Sequence, residues 1–179
     1  MRCLLVLAAT FLTGCTVGWL DLRKIDAAEA AWNCPSSAAV TYSRANFTNT
    51  FGANQADSKH NQEMARRYEL IAKEVLNELG CSTAGQGSPL VVKIEQVQYL
   101  SALPQEWLTG LSFGLIPSWG TRPAEAQFTF EHGEKSAVYV VDDTRINHLV
   151  LFPVFWVSFL LVDYEREFRQ ALRDYAKAP

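Results

Sequence analysis

The stretch Asp57–Gly80, DSKHNQEMARRYELIAKEVLNELG, decides the fold together with the run Pro89–Leu100, PLVVKIEQVQYL, that follows it. Asp57 and Ser58 carry side chains that accept hydrogen bonds from the free amides of a helix start, and Gly80 suits the left-handed turn that ends one. The helix is therefore placed at about 59–79. Met64, Tyr68, Ile71, Val75 and Leu79 fall on one stripe, the face that buries. Glu63 with Arg67 and Glu69 with Lys73 stand four residues apart on the other side, the pattern of a solvated face, so Arg66-Arg67 reads as surface and not as a phosphate site. The second run alternates from Val92 onward. Val92, Ile94 and Gln96 share one face and Val91, Lys93, Glu95 and Val97 the other, which makes it a strand, with the irregularity at its start suggesting a bulge.

Outward from this pair, Ala38–Thr41 with Tyr42 reads as an earlier strand and 46–56, rich in Asn, Thr and Gly, as a loop. Ala124–Glu131 and Lys135–Asp142 flank His132-Gly133-Glu134 as a β-hairpin, with Asp142-Asp143 read as a strand end and turn cap. Residues 163–175 close the chain as an amphipathic helix with Tyr164, Phe168, Ala171, Leu172 and Tyr175 on one side. The expected fold is α+β, a single small sheet covered by two helices in the order β-α-β-β-β-α, with two apolar connecting segments. The 179 residues, 49% hydrophobic, suffice for such a core, and 16 basic against 19 acidic residues exclude the broad basic surface of most nucleic-acid binders.

The N-terminus reads as an address. Met1-Arg2-Cys3 supplies one positive charge, 4–12 is apolar apart from Thr10, and Leu12-Thr13-Gly14-Cys15 follows at once. The apolar run is far shorter than the roughly 20 residues a membrane span needs, so it is a signal peptide. Leu12-Thr13-Gly14-Cys15 resembles the lipobox of bacterial lipoproteins, in which the Cys is lipidated on its sulfur and becomes the first residue of the mature chain. The resemblance covers these first fifteen residues. It implies cleavage after Gly14, a lipid on Cys15 and, since Thr16 stands where Asp would signal inner-membrane retention, the outer membrane with the domain facing the periplasm. Several acyl chains on one residue make such anchoring stable. The domain plan is thus 1–14 signal peptide, 15–37 lipidated N-terminus and tether, and 38–179 periplasmic α+β domain. Trp19 and Leu20 either sit at the headgroup boundary or pack back on the domain. The layout of an early strand, a long helix ending in Leu79-Gly80 and then a run of strands, over 38–145, also resembles the small α+β modules of envelope lipoproteins such as the curli-secretion channel lipoprotein and the penicillin-binding-protein activators. It implies fold more than function.

Cleavage removes Arg2 and no acid, leaving a 165-residue chain with a net charge of −4. Cys34 and Cys81 are then the remaining free thiols, and an oxidising compartment favours a disulfide between them over two buried reduced cysteines. Such a bridge stabilises by roughly 4 kcal/mol if loop entropy is the cause. His60, His132 and His148 are scattered without ligand spacing, so no metal site is expected; nor is there a Gly-rich phosphate loop, and no cofactor is expected.

Function rests on the two apolar segments. Residues 107–119, WLTGLSFGLIPSW, carry no charge, and 149–162, LVLFPVFWVSFLLV, carry one polar residue. Each is too short to span a bilayer, and each holds a Pro followed closely by Trp, which breaks regular structure. Three fates are open: both bury as core, part is displayed to a membrane or partner through Trp119, Phe155 and Trp156, or both wall a cavity. Gly110-Leu111-Ser112-Phe113-Gly114 matches the G-x-S-x-G nucleophile elbow, with Asp142 or Asp143 and His148 following in hydrolase order. Pro117 lies five residues on, where the elbow needs a helix, and the repeated βα units of that fold are missing, so Ser112 reads as a hydroxyl in an apolar turn. The expected function is a non-enzymatic structural or assembly accessory of the cell envelope, held by its lipid and contacting membrane or an envelope protein, with no nucleic-acid partner. The alternative is a carrier of an apolar ligand such as a lipid.

Overall fold

In the computed structural model, the described residues are 16–28, 30–48, 52–55, 58–81, 87–99, 109, 111–112, 115–148 and 161–178. They form strands β1 (Thr16–Ala28), β2 (Ala38–Thr48) and β3 (Gly52–Gln55), helix α1 (Ser58–Glu78), strands β4 (Leu90–Tyr99), β5 (Ser118–His132) and β6 (Lys135–Asn147), and helix α2 (Tyr164–Lys177). The class is α+β, one mixed sheet with two helices, in the order β1-β6-β5-β4-β2-β3. Six strands replace the expected four. Thr16–Ala28 is a strand and not a tether, and the expected loop at 46–56 contains the end of β2 and all of β3, paired antiparallel from Ala45↔Gln55 to Thr48↔Gly52.

β4 lies inside the sheet, between β5 and β2. β2 and β4 are parallel from Ala38↔Leu90 to Phe47↔Tyr99, an arrangement that requires a crossover, and α1 lies in that connection. α1 ends in the two bonds of a Schellman motif, Cys81 N–H to Leu76 C=O at 2.9 Å and Gly80 N–H to Asn77 C=O at 3.0 Å, with Gly80 at φ 78°. The turn delivers Cys81 to the interior, where it is bonded to Cys34 across a Cα–Cα distance of 5.2 Å. β4 pairs antiparallel with β5 from Val91↔Glu131 to Gln96↔Ala126 without a slip, so the expected bulge is not in this ladder. Gly133, at φ 59°, makes the tight turn into β6.

The chain divides into two compact units, one of residues 22–100, 123–142 and 164–179, the other of 1–21, 101–122 and 143–163. In the larger unit Val92, Ile94, Phe128 and Phe130 are buried while Lys93 and Glu95 are exposed, as alternation requires. Phe168 of α2 is the hub: its ring centroid lies 5.0 Å from Tyr68, 5.4 Å from Phe128 and 5.8 Å from Phe130. Tyr42 stacks on Tyr68 at 6.0 Å, carrying the cluster to β2. The helices are joined by Arg169–Glu74 and Arg173–Glu78, both 2.7 Å, and by Arg67–Glu165. Partner numbers rise together, so α1 and α2 run in the same sense. Arg67 thus reaches the second helix rather than Glu63, while Lys73–Glu69 forms at 2.6 Å as expected.

Candidate functional site

Of the first apolar segment, the described large apolar side chains are displayed. Leu111 is 73% exposed, Leu115 68%, Ile116 48% and Trp119 61%, four large apolar side chains within nine residues of the smaller unit. Folded proteins rarely leave such a group open to water unless it meets something apolar. Ser112 shapes it. Its hydroxyl donates to Thr109 C=O at 3.2 Å and accepts from Ile116 N–H at 2.9 Å, while its carbonyl accepts from Leu115 N–H at 3.1 Å. Pro117 then stops the turn, and β5 begins with Ser118 buried and Trp119 facing out.

Ser118 is tied to the start of β1. Asn147, the last residue of β6, donates from Nδ2 to Ser118 Oγ at 3.1 Å, and its Oδ1 accepts from Thr16 Oγ1 at 2.5 Å. Thr121 and Thr144 add a hydroxyl pair at 2.9 Å. Gly18 permits close approach here, since a Cβ on it would stand 3.3 Å from Thr144 O and from Arg145 Cγ. Trp19, the alternate residue of β1, is 39% exposed and Leu20 is buried. Cys15, Phe155 and Trp156 lie outside the described residues.

The residues of the hydrolase-like pattern have structural work. Ser112 is committed to its turn. Asp142 is not a strand end but sits inside β6, largely buried, with Oδ2 accepting from Arg23 Nε at 2.7 Å and Oδ1 from Ala124 N–H at 2.9 Å. The Arg23 hydrogen bond holds the Asp142 carboxyl below the usual carboxylate range. Ala124, at φ 51°, follows Pro123, which has no N–H, and its own N–H donates to Asp142. Asp143 is also interior to β6 and fully buried, with Arg145 donating to its Oδ2 from Nε at 2.6 Å and Nη2 at 2.5 Å. His148 follows β6, half-buried.

Within the expected tether, Pro35 is buried, Trp32 is half-buried and Cys34 is bonded to Cys81. Trp32 lies 5.6 Å from both the His132 ring and the Tyr175 ring. The buried Lys135 ammonium stands 5.9 Å from the Trp32 ring and 5.4 Å from that of Tyr175, and donates to Ala178 C=O at 2.6 Å. Tyr175 OH donates to Lys135 C=O at 2.9 Å, and burial pushes its phenol up to about 12. Beside this cluster is an open cleft of about 360 Å³ whose described lining residues include Ala30, Ala31, Asn33, Ser88, His132 and Glu134. Sequence reasoning missed the Lys135 cage and the Arg23–Asp142 pair, because each joins residues at least 40 positions apart. The available signal was a Lys just after a turn within an apolar alternation.

Among the described residues, no group of three or more His, Cys, Asp and Glu is placed to hold a metal ion, and no helix is long and apolar enough to cross a membrane. Comparison with protein-family models, with curated proteins and with solved structures gives no match.

Proposed function

We propose that this chain is an outer-membrane lipoprotein, anchored through Cys15, whose periplasmic α+β fold works as a non-enzymatic structural or assembly accessory of the envelope by protein or membrane contact. The observation that carries the reading is the exposed set Leu111, Leu115, Ile116 and Trp119, in the same compact unit as the residues that follow Cys15. The lipobox-like Leu12-Thr13-Gly14-Cys15 supplies the address. An outward apolar ridge favours contact over carriage of an apolar ligand, since a carrier turns such side chains around a cavity. The engagement of Ser112 in its turn and of both Asp142 oxygens with Arg23 and Ala124 supports a role without catalysis.

The test is membrane separation by density after expression of the full chain in a Gram-negative host. The chain is expected to band with the outer membrane and the Cys15→Ser chain to leave it. A wild-type chain in the cytoplasm, or Cys15→Ser still in the outer membrane after a carbonate wash, overturns the proposal.

A further inference from the structure

We infer that the ridge of Leu111, Leu115, Ile116 and Trp119 enters the lipid bilayer beside the anchor and holds the protein flush with the membrane; this rests on the proposed lipidation of Cys15. The geometry leaves no slack between the two. β1 begins at Thr16, one peptide unit from Cys15, where neighbouring Cα atoms are about 3.8 Å apart. A tether of some twenty residues would have let the fold stand off the membrane, but a strand that starts at once fixes its first residue at the headgroups.

Two hydrogen bonds then connect that residue to the ridge. Thr16 bonds Asn147, and Asn147 bonds Ser118, which lies between Pro117 and Trp119. Thr16 and the ridge therefore belong to one end of β1, β5 and β6. Trp19, also exposed, is only roughly 10 Å farther along β1.

The chemistry of the ridge selects lipid over a polar partner. A backbone donor entering hydrocarbon must bring its acceptor with it. Leu115 N–H is bonded to Ser112 C=O, Ile116 N–H to Ser112 Oγ, and Pro117 has no N–H at all. Three successive positions at the crest thus present no open amide donor. Residues 107–119 carry no charge, and Trp119 supplies the indole that membrane interfaces favour.

The experiment uses the full chain purified with its lipid from membranes, after intact mass has established acylation. With Cys15 acylated and Cys34 bonded to Cys81, a cysteine introduced by Ile116→Cys is the free thiol for an NBD fluorophore. The control is Leu70→Cys on α1, 67% exposed in the native chain and in the larger unit. Both are reconstituted in phosphatidylethanolamine/phosphatidylglycerol vesicles with and without lipids brominated on the acyl chains. The expected result is a blue shift at position 116 and loss of its emission on brominated lipid, with neither at position 70. Emission at 116 that matches 70 overturns the inference and leaves the anchor standing. A blue shift without quenching overturns it in favour of a second copy covering the ridge. An unacylated Cys15 removes the anchor and this inference with it. A Leu111→Cys label repeats the reading if the label at 116 disturbs the turn.

Discussion

Replacing Asp142 separates a structural carboxylate from a catalytic one. Its Oδ1 accepts the Ala124 amide at 2.9 Å and its Oδ2 the Arg23 guanidinium at 2.7 Å. A donor stripped of its partner costs about 1–3 kcal/mol, and the low end applies because Ala124 is exposed and water can reach it. The Arg23 side chain is 51% exposed, so solvent screens that pair to about 0.2–1 kcal/mol. Asp142→Ala is therefore expected to lose about 1–2 kcal/mol, and Asp142→Asn, which retains an oxygen for Ala124, about half of that. Urea unfolding followed by far-UV circular dichroism measures both. Ala124→Gly is expected to be neutral or stabilising, because glycine adopts φ 51° without strain. The pH dependence has a fixed sign. Since the folded-state pKa of Asp142 is lowered, its stabilisation is fully present above the unfolded value of about 3.9 and is lost as pH falls through the folded value. The gap between wild type and Asp142→Asn should close over that acidic range. An Asp142→Ala midpoint equal to wild type at pH 7 refutes the reasoning.

Two further perturbations follow from burial and covalent structure. Phe168→Ala empties the fully buried hub of the aromatic cluster and is expected to cost about 3–5 kcal/mol, whereas Trp119→Ala, on the exposed ridge, should stay within about 0.5 kcal/mol; urea midpoints that reverse this ranking contradict the packing described. Replacing both Cys34 and Cys81 by Ser removes a cross-link between residues 47 apart and should cost up to roughly 4 kcal/mol. An unfolding midpoint indifferent to dithiothreitol would show that the bridge does not form in the protein.

Legibility in the sequence followed the range of the forces involved. α1 is written in local terms, a polar cap, an apolar stripe and Gly80, and it was placed to within a residue or so; α2 and β4 were legible for the same reason. Phe168, Leu172 and Tyr175 were placed in the core by period alone. β1 was missed because Thr16–Ala28 mixes Asp21, Arg23, Lys24 and Asp26 with its apolar residues and is exposed over its second half, so its strand character depends on pairing with β6, 119 residues away at Arg23–Asp142. β5 begins six residues before Ala124, the start expected from the sequence, and runs through Pro123, which lacks the N–H a strand ladder uses. The strand runs on beyond it, with the Ala124 N–H donating to Asp142, far along the chain. The same distance hid the site. Leu111–Trp119 could be read as apolar and charge-free, but core and surface share that composition. The turn closed by Ser112 and the Asn147 clamp, which links Ser118 to the start of β1, become visible in the structure alone.

The proposed anchoring depends on lipidation of Cys15. The direct measurement is the intact mass of the full-length protein extracted from membranes in detergent, set beside that of Cys15→Ser. The expected mass is that of residues 15–179 plus several acyl chains, with the additional mass absent in the variant. A mature N-terminus at another residue, or an unmodified Cys15 in a chain that still fractionates with the membrane, would contradict it.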